Sequence, residues 1–169
     1  MTIPFQLDEF RVCVFRLAGQ NFGVRLEVVS AIVPMAELSR PPSMPSILEG
    51  FLNLGGIAIP VVKIAGLLGL PEERLALHTP LMIIRRGTRR MALLVNCVTH
   101  IADVAVGGMV PIAAADSFNG CVEGRLTAAD QAVHVLSMDR LLLAEEQQVL
   151  AEFEEAESRR LSQIDRLPS

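Results

Sequence analysis

The chain resembles itself. Moved 69 residues along, Val14, Phe15 and Arg16 fall on Ile83, Ile84 and Arg85, and Phe22, Val24 and Leu26 fall on Met91, Leu93 and Val95. A shift of 70 lays Gly50 on Gly120, and a shift of 74 lays Ile59, Val61, Ile64, Leu67 and Leu68 on Val133, Val135, Met138, Leu141 and Leu142. Three blocks in the same order at nearly one offset describe an internal duplication. The growth of the offset by four is assigned to a longer turn near Arg125 to Gln131. Each copy has only about 65–70 residues, too few to bury a sizeable core alone, so the two are expected to pack on each other.

Within a copy the pattern is that of a sheet. Arg11 to Leu17 and Asn21 to Leu26 alternate and are rich in β-branched residues around Ala18-Gly19-Gln20, which reads as a hairpin. Glu27 to Val33 reads as a short helical turn before Pro34. Pro34, Pro41, Pro42 and Pro45 make residues 34–46 a stiff, extended loop. Ile57 to Ile64 is a further strand, in which Pro60 points to a sheet edge or a bulge, and Ala65 to Leu70 closes the copy with a helical turn. The fold expected is mainly β: two small five-stranded SH3-like barrels packed on each other, the first over about 10–75 and the second over about 80–144. Together they form one domain over 1–144, followed by a helical extension over 145–169.

Composition narrows the function. Of the 169 residues 51% are apolar and 20% charged, enough apolar surface to offset the entropy of ordering. The net charge of −4, with neither Trp nor Tyr, argues against nucleic-acid binding. Residues 1–80 carry −1, residues 81–144 carry +1 and residues 145–169 carry −4, so a neutral body has an acidic tail. The longest uncharged runs (Gly50 to Val62, Met91 to Ala102, Val104 to Ala115) fall short of the ~20 residues that span a bilayer. The N-terminus, MTIPFQLDEF, lacks the basic and apolar regions of a secretion signal. Cys13, Cys97 and Cys121 are odd in number and far apart, as expected of reduced, buried thiols.

Ala144 to Leu167 contains neither Gly nor Pro, and Val149, Phe153, Ala156, Ile164 and Leu167 share one helical face, interrupted by Arg160. Glu155 and Arg159 sit at i,i+4. This amphipathic helix either covers the protein's own apolar surface or docks a partner through Val149, Phe153, Ile164 and Leu167.

Catalysis finds no support. His78, His100 and His134 are isolated, and no His/Cys cluster has metal-ligand spacing. His100 with Asp103 reads as a surface polar pair, and Cys121 as a structural thiol. Glu49 and Glu123 are matched by the duplication, a simpler account than paired catalytic carboxylates. Gly50-x4-Gly55-Gly56 places Gly56 and Ile57 where a phosphate loop needs Lys and Ser/Thr. No catalytic residue, metal or cofactor is expected. Arg85-Arg86-Gly87-Thr88-Arg89-Arg90 is either a solvated hairpin tip or a site for phosphate or an acidic partner.

The stretch Glu49-Gly50-Phe51-Leu52-Asn53-Leu54-Gly55-Gly56-Ile57-Ala58-Ile59-Pro60-Val61-Val62 resembles the G-h-x-N-L-R-G-x-h-h-P-h-h-D-L motif (h, apolar) of the CheW family of chemotaxis coupling proteins. Phe15, Leu17, Phe22, Val24 and Leu26 match that family's first hairpin. Gly120 and Ala132 to Leu142 resemble its closing strand and D-x-x-L-L turn, so the likeness covers about residues 10–144. It implies the two-barrel fold and a cytoplasmic, non-enzymatic adaptor. Its implied partners are the regulatory domain of a CheA-like histidine kinase and the cytoplasmic tip of a chemoreceptor. The motif loop is Gly50, Asn53, Leu54, Gly55 and Gly56, and the family's receptor-facing positions fall on Val29, Leu81, Val98 and Ile101. A scaffold that uses the double barrel without a kinase is the alternative.

Four positions depart from the pattern. The motif Arg is Gly55, its acidic partner is Ala31, the motif Asp is Lys63, and an Asp of the second hairpin is Asn96. Both charges of the Arg–acid pair are absent together, so neither is left unpaired, and restoring them as Gly55→Arg with Ala31→Glu is expected to leave folding unchanged. These departures point to a divergent adaptor of an alternative chemosensory pathway.

Overall fold

The computed structural model describes residues 9–72, 79–105, 107–112 and 118–165; beyond Val149, side chains are described only at Glu152 and Arg159. Eleven strands and two helices are found among them: β1 (Phe10–Leu17), β2 (Gln20–Arg25), β3 (Val29–Pro34), β4 (Leu48–Leu54), β5 (Ile57–Val62), α1 (Ile64–Leu67), β6 (Pro80–Arg86), β7 (Arg89–Leu94), β8 (Cys97–Val104), β9 (Val110–Pro111), β10 (Val122–Ala128), β11 (Gln131–Leu136) and α2 (Met138–Asp165). The segment after β2 is only a three-residue 3-10 turn, Leu26–Val28; the rest of the expected helical turn is β3.

The strands form two sheets, ordered β8-β1-β2-β11-β10-β9 and β3-β6-β7-β5-β4. This is the mainly β, two-sheet fold expected, with the halves interleaved. The first half's hairpin, β1–β2, lies among strands of the second half, and the second half's hairpin, β6–β7, lies among strands of the first. A boundary near residues 75–80 therefore does not separate the sheets. The joins are parallel and equivalent: β2 meets β11 through Gly23↔Val135, and β7 meets β5 through Ala92↔Val61.

Pairing also corrects the repeat. Gly50 faces Val61 and Gly124 faces Val135, each beside a bulge, so Gly50 corresponds to Gly124, 74 residues on, rather than to Gly120. The amide hydrogen bonds from Lys63 to the Ile47 carbonyl and from Ser137 to the Cys121 carbonyl, both 2.8 Å, show the same offset. The turns Leu54–Ile57 and Ala128–Gln131 are equally long. The extra residues thus lie between β8 and Cys121, and the turn near Arg125 to Gln131 is not lengthened.

Three cores result. Val12, Val14, Val104, Leu126, Val133 and Val135 fill one sheet's concave side. Leu38, Leu52, Ile59, Val61, Leu81, Ile83, Ala92 and Leu94 fill the other's. The largest lies between the sheets and holds Phe15, Phe22, Val62, Ile64, Met82, Ile84, Met91, Leu93, Leu136 and Leu141. Along β6, Leu81 and Ile83 enter one core while Met82 and Ile84 enter another. Strands buried on both faces need unbroken apolar runs, which explains Leu81 to Ile84 and Met91 to Leu94. β5 is interior, not an edge; Pro60 is tolerated because parallel pairing to β7 begins at Val61.

α2 does not begin at the tail. Its first turn, with buried Met138, Leu141 and Leu142, is the counterpart of α1, whose Ile64, Ala65 and Leu67 are buried in the same core.

A Cβ at Gly50 would lie 2.8 Å from Leu38 Cβ and 3.0 Å from the Ser39 carbonyl oxygen, on the chain that bridges Ser39 to Phe51. At Gly124 the two closest atoms are those of the flexible Met109 side chain, at 2.6 and 2.7 Å, with the Val110 carbonyl oxygen at 3.1 Å. Gly50→Ala is expected to cost about 2 kcal/mol in chemical denaturation and Gly124→Ala less, because each meets a backbone carbonyl but the closest contact at Gly50 is a Cβ fixed to its backbone and at Gly124 a methionine that can move.

Candidate functional site

The motif loop is the β4–β5 hairpin tip. Leu54 pairs with Ile57, and the two residues between, Gly55 and Gly56, have φ of +61° and +84°, the left-handed geometry that fits a two-residue hairpin to twisted strands. The Gly56 N–H donates to Asn53 Oδ1 at 2.9 Å, so Asn53 closes the turn, and Leu54 packs half-buried on the β3–β7 sheet's core. Ala129 and Asp130 take the equivalent positions in the second copy, with φ of +50° and +61°. The space around Gly55 is open, yet any larger residue there strains the backbone. Ala31 packs half-buried against the sheet core, so a glutamate would meet apolar surface. The exchange of Gly55→Arg with Ala31→Glu is therefore not neutral. Gly55→Arg alone is expected to cost about 1 kcal/mol and Gly55→Asn less, measured by urea unfolding.

The other departures are answered locally. Lys63 lies 3.9 Å from Glu49, which also receives Arg40 at 3.0 Å. Asn96 Oδ1 accepts the Ala18 N–H at 2.9 Å and so supports the β1–β2 turn.

Of the four apolar positions carried over from the family, three lie on edge strands. Val29 in β3 and Val98 in β8 are half-buried against the central core, and Ile101 in β8 is 54% exposed. Leu81 does not join them: β6 is covered on both faces, and Leu81 is 0% exposed inside a sheet core. β3 and β8 are themselves equivalent, because Val29 faces Ile84 while Val98 faces Phe15, and Ile32 faces Met82 while Ile101 faces Cys13, all offset by 69. Ser30 Oγ and Thr99 Oγ1 donate to the carbonyls of Ile83 and Val14 at 3.2 and 3.1 Å, at the two equivalent bulges. Ile32, 45% exposed, is thus the counterpart of Ile101 and belongs with it. The first repeat offset, applied to Ile101, would have found it.

The basic hairpin is held by the chain's own helix. Arg86 pairs with Asp139 at 2.6 Å, Arg89 with Glu145 at 3.1 Å, and Arg89 also with Glu146. Further along α2, Glu152 Oε2 accepts the Ser46 N–H at 2.7 Å and Oε1 accepts the Ser46 hydroxyl. These bonds, helped by Lys63, hold the Glu152 carboxyl below its ordinary range. Val149 packs half-buried on the central core. The side chains of Phe153 and Ile164, and Leu167 altogether, lie outside the described residues.

Chemistry of a catalytic kind does not assemble among the described residues. His100 meets Thr99 Oγ1 at 3.1 Å, while Asp103 pairs with Arg11 at 3.4 Å. Glu49 and Glu123 do not converge: Glu123 pairs with Arg25 at 2.8 Å, whose guanidinium lies 4.3 Å from the centre of the Phe10 ring. Burial pushes the Cys121 thiol up against the opposing influence of Arg140, and Cys13 up as well, away from thiolate chemistry, whereas Cys97, expected to be buried, is exposed on the edge strand β8. No group of three or more metal ligands gathers among these residues, and no described helix is long and apolar enough to cross a membrane.

His134 packs against Phe22 and Phe118, with ring centroids 6.1 and 5.0 Å away. Burial, reinforced by Arg125, holds its imidazole below the usual 6.5. The unfolded chain then binds this proton first on acidification, so stability falls as pH drops from about 6.5 and levels off below the folded value. His134→Gln is expected to lack that part of the slope in unfolding free energy against pH.

The CheW-like domain family model matches residues 11–146. The chemotaxis protein CheW of Thermotoga maritima is 21% identical over 141 residues, covering 83% of this chain and 93% of that protein. The chemotaxis protein CheW of Rhizobium meliloti is 24% identical over 136 residues, covering 79% and 88%. The crystal structure of the scaffolding protein TtCheW from Thermoanaerobacter tengcongensis superposes with a TM-score of 0.72 at 21% identity, over 82% of this chain and 89% of that one.

Proposed function

Since the chain belongs to the CheW-like domain family, we propose that it is a non-enzymatic, cytoplasmic adaptor of a chemosensory system. In this reading it joins the regulatory domain of a CheA-like histidine kinase to the cytoplasmic tip of a chemoreceptor. The observation that supports it best is the pair of equivalent edge strands on one rigid body. Among the described residues β3 and β8 each leave one side unpaired within their sheets, and each exposes one isoleucine, Ile32 and Ile101. An adaptor needs separate surfaces whose relative position does not change, and the shared core between the sheets fixes these two. Contacts of this size are individually weak and gain strength when many are joined in an array. Val29, Val98 and Ile101 would face the receptor. Gly55 and Lys63 replace charges of the family motif, which suits a member serving an alternative pathway with its own kinase and receptor.

Titration of the full chain against the kinase regulatory domain and against a receptor cytoplasmic fragment tests this. Saturable micromolar binding to both is expected. Ile101→Asp, at an exposed site, should weaken the receptor interaction about tenfold while the kinase affinity holds. Binding to neither would overturn the adaptor reading and leave a scaffold without kinase coupling.

A further inference from the structure

The β6–β7 hairpin carries two pairs of arginines set directly across from each other, Arg86 opposite Arg89 and Arg85 opposite Arg90. Like charges in that relation repel and destabilise a hairpin. On one face the chain answers them, because Arg86 and Arg89 meet Asp139, Glu145 and Glu146 of α2. Arg85 and Arg90 lie by strand alternation on the other face, in line with Ile83 and Ala92 of the concave core. Among the described residues neither meets a carboxylate. Ala31, which faces Ile83 from β3, brings no charge to them.

The other copy shows that this place does not require two charges. Its equivalents, at the offset of 69, are Arg16 and Asn21, also directly opposed. There Asn21 Nδ2 donates to Gln131 Oε1 of the neighbouring β11 at 2.5 Å, and Arg16 donates to the Gly19 carbonyl at 3.4 Å. The counterpart of Gln131, 74 residues earlier, is Ile57, which is 50% exposed. β5 and β7 run parallel through Val61↔Ala92, so their two hairpin tips stand at the same end of the sheet and Ile57 neighbours Arg90 there. Where one copy closes this end with an amide pair, the other leaves an apolar side chain beside two unanswered guanidiniums.

We propose that Arg85, Arg90 and Ile57 form a docking site for a short acidic segment of a partner protein that carries an apolar residue beside its carboxylates. Charge complementarity sets the class of occupant: carboxylates on the two guanidiniums do for this face of the hairpin what α2 does for the other. The chain's own α2 serves only the opposite face. Ile57 separates a protein segment from a bare anion, which would bind the arginines and leave the isoleucine in water. The three residues stand on adjacent strands about 4.8 Å apart, so a segment of three or four extended residues reaches all of them. This inference does not rest on the chain's binding a kinase or a receptor.

The test uses the full chain and, as probe, the labelled peptide Glu-Glu-Ile-Glu-Glu, read by fluorescence anisotropy at low salt. Saturable binding is expected. It should weaken at least about tenfold in Arg85→Thr/Arg90→Thr, and equally when the peptide's glutamates are replaced by glutamines. Ile57→Ser, or serine in place of the peptide's isoleucine, should weaken it about threefold. Arg16→Thr, at the equivalent place in the other copy, should leave it unchanged. Thermal unfolding gives a second readout. Because the pair repels, Arg85→Thr/Arg90→Thr should raise Tm by about 1–3 °C, whereas Arg89→Thr, which takes the partner from Glu145, should lower it. The proposal is overturned by the absence of probe binding, by a loss as large in Arg16→Thr, or by binding that ignores Ile57. Preference for phosphatidylserine vesicles over the peptide, or a fall in Tm for Arg85→Thr/Arg90→Thr, overturns it too.

Discussion

The seam between the two sheets carries the molecule. Phe15, Phe22 and Val24 come to it from β1 and β2, Met82, Ile84, Met91 and Leu93 from β6 and β7, and all are essentially excluded from water. Each large side chain buried there contributes about 1.5–3 kcal/mol of transfer free energy, whereas the core on the far face of the β1–β2 sheet is built mostly of valine. Because the hairpins are exchanged, every strand at the seam belongs to a sheet completed by the other half of the chain. Neither half can close its own sheet, so small size and exchange together make the two halves one cooperative body. The relative position of β3 and β8, on which an adaptor role depends, follows from that closure.

The duplication was legible because it is written in the apolar pattern: the 69-residue offset of the hairpins and the 74-residue offset of the closing segments are both real registers in the structure. Exchange of the hairpins was not legible. Swapped and contiguous arrangements need the same alternation on the same strands, and they differ only in which copy supplies the neighbour. The Gly50–Gly120 match failed for a related reason. A glycine can be matched by identity alone, whereas its role at a bulge shows only in the pairing that puts Gly124 opposite Val135. VSAIVP has little alternation of polar and apolar residues, and a sheet edge asks for little, so the sequence alone points to a helical turn where β3 forms.

Site residues carried over by resemblance fared according to how many faces their strand exposes. Positions on β8 kept at least partial access to solvent, while Leu81 on the interior β6 lost it. A motif alignment transfers position along the chain but not burial, and burial decides whether an apolar side chain can meet a partner. The same distinction explains Gly55. It was readable as a missing charge, but the constraint there is a positive φ, which the local sequence hints at only through the Gly55-Gly56 pair.

The acidic tail and the basic hairpin look unrelated in sequence, lying some sixty residues apart. They are one feature. α2 grows directly out of the turn that ends the second copy, as α1 ends the first, so its direction is fixed by the core before any charge acts. Once Met138 and Leu141 are seated, the next turns must pass the β6–β7 tip, and carboxylates at 139, 145 and 146 meet arginines at 86 and 89. The duplication itself supplies the reason for the asymmetry: α1 stops after four residues, with Gly66 inside it and Gly69 at φ +74° just beyond, while its counterpart has no glycine to stop it. With no such stop, α2 runs on past the β6–β7 tip, whereas α1 ends after a single turn.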